Sequence, residues 1–269
     1  MSAEALIQSR GDDRLRIATW NVNSLRVRLE ILVPWLAQDG PDIVCLQETK
    51  VTDELFPTQA LADLGYQAAF TGQKTYNGVA LLSRLPMTEV VTALPGAPPE
   101  DEKRFIAATI AGVRVINVYV PNGQMVGSPK FSYKLAWLQA LQTFLATMYT
   151  PEDIVLLCGD FNVAPEARDV YDPTRAEGEI LFHPDERAAF AHFLAWGLHD
   201  TLRLHKQEGG LYSWWDYRAL AFQRNLGFRI DHILVTPPLA ARCTAVTLER
   251  ELRKLPKPSD HIPVVATFR

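Results

Sequence analysis

The stretch DIVLLCGDFN, residues 153–162, joins a continuous apolar run to a polar tip and indicates the fold most clearly. A second stretch, DIVCLQE at residues 42–48, has the same order. Short runs that are apolar almost throughout are typical of strands buried on both faces. Each is preceded by another strand-like run with its own polar tip, RVINVYVPNG in the first case and RIATWNVNS in the second. This echo predicts two similar halves.

Helical patterns lie between the strands. The clearest covers residues 131–149, where the apolar stripe consists of Phe131, Leu135, Leu138, Leu141 and Leu145. Another begins at residue 25, and Pro34 within it predicts a kink or a restart. A third covers residues 184–196 and is expected to stop at Gly197. Because strands outnumber helices, we expect an α/β sandwich with sheets packed face to face and helices outside.

The composition favours one globular domain. The chain has 269 residues, 48% of them hydrophobic, and a net charge of −4. We predict a single domain over residues 14–269 and a disordered tail over residues 1–13. An acidic protein that binds nucleic acid needs a local basic face. Two candidates are residues 248–259 and a stretch that carries Arg218, Arg224 and Arg229.

Three features predict a cytoplasmic protein. No apolar run approaches the roughly 20 residues of a membrane helix. The first residues have neither the basic start nor the apolar region of a signal peptide. The three cysteines are far apart and lack zinc-ligand spacing, so free thiols in a reducing compartment are expected.

The polar residues at the strand ends carry the chemical signal. They are Asn21, Glu48, Tyr119, Asn122, Asp160 and Asn162, to which the SDH sequence adds Asp260 and His261. Carboxylate and amide oxygens favour Mg²⁺ or Mn²⁺ over zinc, and Mg²⁺ with few carboxylates typically acts on phosphates. The chain lacks a P-loop, a dinucleotide fingerprint and a nucleophile elbow. Residue types therefore predict metal-assisted phosphoester hydrolysis.

Longer motifs identify a family resemblance. In order, the chain carries TWNVNSLR (19–26), LQETK (46–50), YNGVALLSR (76–84), NVYVPNG (117–123), GDFNVAPE (159–166), WWDYR (214–218), RIDHILV (229–235) and KPSDHIPV (257–264). This series resembles the exonuclease III family of apurinic/apyrimidinic endonucleases, within the endonuclease/exonuclease/phosphatase superfamily. The resemblance implies a four-layered α/β sandwich of two packed mixed β-sheets flanked by helices.

The resemblance also implies an activity. It is Mg²⁺-dependent hydrolysis of the phosphodiester 5′ to an abasic site in duplex DNA, leaving a 3′-hydroxyl, with Mn²⁺ as a substitute metal. Side activities would be a 3′→5′ exonuclease and a 3′-phosphatase or phosphodiesterase. The implied partner is double-stranded DNA with abasic sites or 3′ ends, bound by a monomer associated with the nucleoid and not with a membrane. The alternative is a catalytically weak nucleic-acid-binding regulator with the same fold.

Residue roles follow from the same resemblance, motif by motif. The metal would be held by Glu48, with Asn21 and Asp260 close to it. The catalytic set would be Tyr119, Asp160, Asn162, Asp231 and His261, with Asp231 orienting His261 and either Asp160 or His261 accepting the proton. The implied substrate-binding set is Asn122 in its loop, Trp214, Phe228 and Ile230 around an extrahelical abasic sugar, and Arg26 and Lys50 at the border of the site.

Overall fold

The structure is a computed structural model that describes residues 14–98 and 102–269, without the side chain of Asp39. The predicted N-terminal tail, residues 1–13, lies outside the described residues. The strands are β1 (Leu15–Asn21), β2 (Ile43–Gln47), β3 (Gln67–Thr71), β4 (Val79–Ser83), β5 (Met87–Val91), β6 (Phe105–Ile110), β7 (Val113–Tyr119), β8 (Val155–Asp160), β9 (His199–Asp200), β10 (Asp231–Val235), β11 (Cys243–Leu248) and β12 (Val264–Phe268).

The helices lie between these strands. They are α1 (Leu25–Asp39), α2 (Thr58–Ala62), α3 (Pro129–Met148), α4 (Pro173–Ala176), α5 (Pro184–Trp196), α6 (Thr201–His205) and α7 (Pro237–Ala240), with 3₁₀ turns at Asp53–Leu55, Ala167–Asp169 and Arg250–Lys254. The helix predicted over residues 184–196 is confirmed and ends at Gly197. The predicted restart at Pro34 is wrong, because α1 continues through this residue. Within the described residues, no helix is both long enough and apolar enough to cross a membrane.

Two mixed sheets form the centre of the fold. Their strand orders are β11-β12-β1-β2-β4-β3 and β5-β6-β7-β8-β10-β9. The central pairs β1–β2 and β7–β8 are parallel, whereas the other described pairs are antiparallel. Each parallel pair is joined through a helix, α1 in one case and α3 in the other, as such a connection requires. The predicted pair of similar halves is therefore confirmed.

The core has three apolar layers. Ile17 and Cys45 of the first sheet lie in one buried cluster with Val115 and Cys158 of the second, which shows that the sheets pack face to face. A second cluster joins the outer face of the first sheet to α1. A third joins the outer face of the second sheet to α3 and α5. Because both faces of both sheets are covered, the predicted four-layered sandwich is confirmed.

Polar groups also connect the two sheets, close to the end where the parallel strands finish. The side-chain amide of Gln47 donates to Oδ1 of Asn117 at 2.7 Å. Asn117 in turn donates to the carbonyls of Leu46 and Ala80, at 2.9 and 3.0 Å. Both amides are fully buried. A buried hydrogen-bonded network is specific in geometry, so it holds the two sheets in one register beside the strand ends.

Candidate active site

Strand pairing brings the predicted polar residues to one edge of the sandwich. Asn21 ends β1 opposite Gln47, and Tyr119 ends β7 opposite Asp160. Strand β10 runs antiparallel to β8 and begins with Asp231 opposite Asp160. Three chain segments distant in sequence therefore place a tyrosine and two carboxylates side by side.

Gly159 allows the closest of these approaches. Its φ is +143°, and a Cβ at this position would lie 1.9 Å from the carbonyl oxygen of Val118 on the neighbouring strand. A backbone oxygen cannot move away without breaking the ladder, so any other residue would separate β7 from β8. The glycine of GDFN is thus needed to seat Asp160 beside Tyr119.

The SDH segment reaches the same edge from the other sheet. Strand β12 pairs antiparallel with β1, with Val264 opposite Thr19, so the residues just before Val264 lie beside the end of β1. The hydroxyl of Ser259 donates to the carbonyl of Asn21 at 2.7 Å and accepts from the amide of His261 at 3.2 Å. This serine attaches the acid–histidine pair to the end of β1.

Asn21 links the two carboxylates at the centre. Its side-chain NH₂ donates to Oε1 of Glu48 at 2.8 Å and to Oδ2 of Asp160 at 2.9 Å. Its side-chain oxygen accepts from the backbone N–H of Asn23 at 2.9 Å, which fixes this orientation of the amide. Asn21, predicted to lie close to the metal, therefore presents its nitrogen and not its oxygen to the carboxylates. In this geometry it orients them.

His261 lies between two further carboxylates. Its Nδ1 is 2.8 Å from Oδ2 of Asp231, and its Nε2 is 3.8 Å from Oδ2 of Asp160. Burial lowers the pKa of His261, but the negative charges of Asp231 and Asp160 outweigh burial and raise this pKa to about 10. The imidazole is therefore charged at neutral pH and points its Nε2–H toward Asp160.

For the carboxyl of Asp160, burial has a larger effect on the pKa than the neighbouring charge and hydrogen bonds that oppose it. Burial raises the pKa of this carboxyl to about 7, although the charge of His261 and the hydrogen bond from Asn21 lower it. A carboxyl with a pKa near neutrality can both accept and release a proton under physiological conditions. The structure therefore separates the two groups: His261 is the charged donor, and Asp160 changes protonation near pH 7.

Tyr119 is held beside the same acids as a neutral phenol. Burial raises its pKa well above the ordinary value, and the charges of Glu48 and Asp160 raise it further. The guanidinium of Arg104 lies over its ring, 4.6 Å from the centroid, and donates to its carbonyl at 3.3 Å. Tyr119 can therefore donate a hydrogen bond, and Arg104 restricts its ring.

Asp260 and Trp214 form the next layer. The carboxylate of Asp260 accepts from Asn23 Nδ2 at 2.9 Å and from Trp214 Nε1 at 3.0 Å. Burial raises the pKa of Asp260, but the charge of His261 and these hydrogen bonds outweigh burial, so its pKa lies below the ordinary value. Lys50 pairs with Glu48 at 2.8 Å and also donates to Asn23. The Lys50 ammonium thus lies at the border of the site, where the sequence predicted it.

A metal fits the donor atoms at the centre. Within the described part of the chain, the acid and histidine cluster suited to a metal is Glu48, Asp160 and His261, with ligand atoms within 4.8 Å of one another. Because a protonated imidazole offers no lone pair, Glu48 is the carboxylate that would hold the metal, with Asp160 beside it. One or two carboxylates, completed by waters and substrate phosphate, is the typical environment of Mg²⁺. Asp260, predicted to lie close to the metal, is not part of this cluster.

The loops after β7 and β8 are tied to each other. Asn122 donates to Oδ1 of Asn162 at 3.1 Å, and Asn162 donates to the carbonyl of Val120 at 3.0 Å. The backbone N–H of Asn162 donates to Oδ1 of Asp160 at 2.9 Å, and its φ is +50°. Asn122 is exposed, whereas Asn162 is buried. The side chain of Asn122 therefore faces solvent beside the site, while the backbone N–H of Asn162 fixes the carboxylate of Asp160.

The side chains predicted to surround an abasic sugar lie together. Trp214 and Phe228 are half-buried, with ring centroids 5.8 Å apart. Ile230 is only 2% exposed and belongs to the same apolar cluster, which also contains Leu181 and Phe182. The three side chains are therefore adjacent, but in this structure they pack against the protein's own residues.

The predicted basic face is present in part. Arg250 and Arg253 of the first segment lie over the ring of Phe222 in the second, 5.1 and 5.4 Å from its centroid. These contacts bring the two predicted basic segments together beside the site, where Trp215 N donates to the carbonyl of Asp260 at 3.0 Å. The exposed border also includes Arg26, Arg218, Arg224, Lys254 and Lys257.

Arg229, which was predicted to belong to the exposed basic face, is buried instead. It is 1% exposed and pairs with Asp169 at 2.6 Å and Asp200 at 2.7 Å. A buried guanidinium with two carboxylate partners cannot contact DNA. The difference arises because two carboxylates from distant segments, Asp169 and Asp200, enclose the guanidinium.

The sequence interpretation missed a second buried charge. Lys134 is fully buried on α3 and pairs with Glu186 of α5, whereas Leu135, predicted on the buried face, is only half-buried. A signal was available: Lys134 lies three residues after Phe131 and four before Leu138, at the helical spacing of the apolar stripe.

Known proteins are similar to this chain over almost its whole length. A model of the Endonuclease/Exonuclease/phosphatase family matches residues 18–261. Exodeoxyribonuclease III of Haemophilus influenzae is 35% identical over 267 residues, covering 95% of this chain and 100% of its own.

Solved structures are similar along almost the whole chain. A 3′ phosphatase, NExo, from Neisseria bound to a product DNA hairpin is 46% identical, with a TM-score of 0.91, and the match covers 95% of this chain and 99% of the other. An AP endonuclease from Archaeoglobus fulgidus is 44% identical, with a TM-score of 0.89, and the match covers 94% and 99%.

Proposed function

We propose a function from the premise that this chain belongs to the Endonuclease/Exonuclease/phosphatase family, in its exodeoxyribonuclease III branch. The chain is thus a DNA-repair nuclease, a metal-dependent phosphodiester hydrolase that binds DNA. The proposed reaction is Mg²⁺-dependent hydrolysis of the phosphodiester 5′ to an abasic site in duplex DNA, leaving a 3′-hydroxyl. Removal of nucleotides and of phosphate from 3′ ends would use the same centre.

The proposal rests on the position of Asp160 between Asn21 and His261. The two hydrogen bonds at Asp160, from Asn21 at 2.9 Å and from the N–H of Asn162 at 2.9 Å, fix both carboxylate oxygens. Its pKa of about 7 suits a group that positions water and accepts its proton. A fixed acceptor beside a charged donor is what hydrolysis of a phosphodiester requires.

The other side chains would stabilise the phosphate. The charged Nε2–H of His261 and the phenol of Tyr119 can donate to phosphate oxygens, on which negative charge grows during the reaction. Glu48 would be the main Mg²⁺ ligand, and the bound ion would neutralise charge on the phosphate. Asp231 keeps His261 charged and oriented. Because His261 is already protonated at neutral pH, Asp160 is the better candidate for the proton acceptor.

DNA would lie along the exposed basic border. Arg218 is 88% exposed on its side chain, and Lys254 is 58% exposed. Cations of this kind contact phosphates without reading sequence, so they would position a duplex over the site. We infer a monomer that acts where chromosomal DNA is found, at the nucleoid in the cytoplasm.

A second candidate is an enzyme specialised for 3′ ends. It is favoured by the packing of Trp214, Phe228 and Ile230 against Leu181, which leaves little space for an extrahelical sugar in this structure. A 3′-phosphate at a nick or a DNA end needs no such space. The 46% identical relative from Neisseria is a 3′ phosphatase.

The test compares three labelled duplexes, with and without EDTA. One carries a single abasic analogue, one carries a 3′-phosphate at a nick, and one is undamaged. A Mg²⁺-dependent nick 5′ to the analogue supports the abasic-site activity. Release of the 3′-phosphate without this nick supports the second candidate. Binding of duplex without any Mg²⁺-dependent cleavage would refute both and leave the nucleic-acid-binding regulator.

A further inference from the structure

The fully buried ammonium of Lys134 lies behind the site, and the reaction proposed above gives it no role. Lys134 is 0% exposed on α3. Its Nζ donates to the backbone carbonyl of Asn162 at 2.6 Å and to that of Asn122 at 3.2 Å, and it pairs with the carboxylate of Glu186 on α5. All three donor positions of the ammonium are therefore used inside the protein.

Both carbonyls belong to the loops that complete the site. Asn122 follows Tyr119 at the end of β7, and Asn162 follows Asp160 at the end of β8. The N–H of Asn162 also holds Oδ1 of Asp160. A single residue, Asn162, thus links Lys134 to Asp160, the proposed proton acceptor.

The conformation of Asn162 depends on this contact. Its φ of +50° is a left-handed value; asparagine tolerates it better than most residues but also adopts others, so neighbouring contacts hold it there. The side-chain bonds to Val120 and from Asn122 enforce it on one side. The ammonium of Lys134, on the carbonyl, enforces it on the other.

Stability alone does not explain a charge at this position. Burial lowers the pKa of Lys134, and the charges of Glu186 and Asp160 only partly offset burial. A buried ion pair can usually be replaced by apolar side chains without loss of stability. Such a replacement here would leave the two loop carbonyls without their shared donor. An apolar side chain at position 134 could not donate hydrogen bonds to the carbonyls of Asn122 and Asn162, as Lys134 does.

We propose that Lys134 is a positioning residue that clamps the Asn122 and Asn162 loops from behind and thereby aligns Asp160 with the phosphate. The role rests on the proposed hydrolysis at this site. Glu186 keeps the ammonium charged and in place, and it also accepts from the N–H of His183 at 3.0 Å, at the start of α5. Helices α3 and α5 thus support the two loop residues, Asn122 and Asn162, from behind the site.

The test separates positioning from folding with a charge-neutral pair of substitutions. Lys134→Met alone leaves the Glu186 carboxylate buried without its cation, so a lower unfolding midpoint is expected. Lys134→Met with Glu186→Gln removes both charges and keeps an acceptor for His183, so the midpoint should recover. Glu186→Gln alone removes the carboxylate that holds the ammonium, so its kcat should lie between those of the wild type and the double variant. The matched control is Arg187→Met, on the same helix as Glu186, which removes a partly exposed ion pair to Glu177.

Steady-state kinetics on the duplex that the wild type cleaves are the main readout. In the recovered double variant kcat should stay about 100-fold below wild type, the loss typical of a misplaced catalytic group, with KM changed less than about 3-fold. Arg187→Met should stay within about 3-fold of wild-type kcat. If Lys134→Met alone does not fold, the double variant decides.

A second readout does not depend on catalysis. Amide hydrogen exchange at Asn162 should be faster in the double variant than in the wild type at equal global stability, because its bond to Asp160 is released more often. A double variant with wild-type kcat, or with unchanged exchange at Asn162, overturns the proposal. An inactive wild type would instead refute the proposed function, and the exchange measurement would still decide on the clamp.

Discussion

The charged state of His261 is the feature most open to measurement. Asp231→Asn keeps the shape of the side chain and a hydrogen-bond acceptor for Nδ1 but removes the charge 2.8 Å from the imidazole. In the wild type, the charges of Asp231 and Asp160 outweigh burial and raise the pKa of His261 from 6.5 to about 10. Without the charge of Asp231, the pKa of His261 should fall.

The sign and size of the effect follow from proton linkage. Between pH 6.5 and about pH 10, the folded wild-type chain holds a proton on His261 that the unfolded chain has released. The stability contributed by this group is therefore complete below pH 6.5 and is lost as the pH rises through about 10. One proton corresponds to a loss of about 1.4 kcal/mol in the free energy of unfolding for each pH unit. The slope should be shallower in Asp231→Asn.

Urea unfolding in EDTA tests this between about pH 7.5 and about pH 8.5, where cysteine titration is still limited. With an m-value near 3 kcal/mol/M, the wild-type midpoint should fall by about 0.5 M over this range. His261→Gln lacks the titrating group and gives the slope of the remaining protein. The slope of Asp231→Asn should approach that of His261→Gln. If the wild type and Asp231→Asn have equal slopes, His261 is not held charged by Asp231.

Three further predictions concern the metal, the substrate and the scaffold. Glu48→Gln should raise the Mg²⁺ concentration needed for half-maximal cleavage by at least about 10-fold, with activity recovering at high metal, and an unchanged metal titration would contradict the ligand role. Trp214→Ala should reduce the preference for abasic over intact duplex about 10-fold in a competition gel, whereas equal losses of both affinities would count against a role in selection. Asp169→Asn leaves the buried Arg229 with one fewer carboxylate and should cost about 3–5 kcal/mol of unfolding free energy at neutral pH. Burial raises the pKa of Asp169, but the charges of Arg229 and Arg203 outweigh burial and lower it, so its stability contribution is present above the ordinary pKa of 3.8 and is lost as the pH falls below that value. The difference in unfolding free energy between Asp169→Asn and the wild type should therefore shrink in acid. A difference in urea midpoints that stays constant with pH would contradict this stabilising role of Asp169.

The convergence of the strand tips could be predicted from the sequence. Parallel strands joined by a helix must end at the same edge of their sheet, so Asn21 with Glu48, and Tyr119 with Asp160, had to meet once the two strand pairs were identified. The short apolar runs carried that information locally, because a run with no polar position needs cover on both faces. The sandwich and its helices followed from the same pattern.

The orientation of individual groups could not be predicted in this way. The amide of Asn21 faces the carboxylates with its nitrogen because Asn23 takes its oxygen. Arg229 lies in a basic-looking segment, yet two carboxylates from distant segments, Asp169 and Asp200, enclose it. Such contacts join residues that no local pattern connects.

The sequence by itself determined the strand pattern, the three longer helices and which polar residues stand at the strand ends, since these depend on neighbours within a few positions. Only the tertiary structure decided that His261 is charged, that Asp160 titrates near neutrality and that Lys134 is buried against the loops of the site. These properties depend on desolvation and on charges brought close by folding. Both are set by the packing of distant segments.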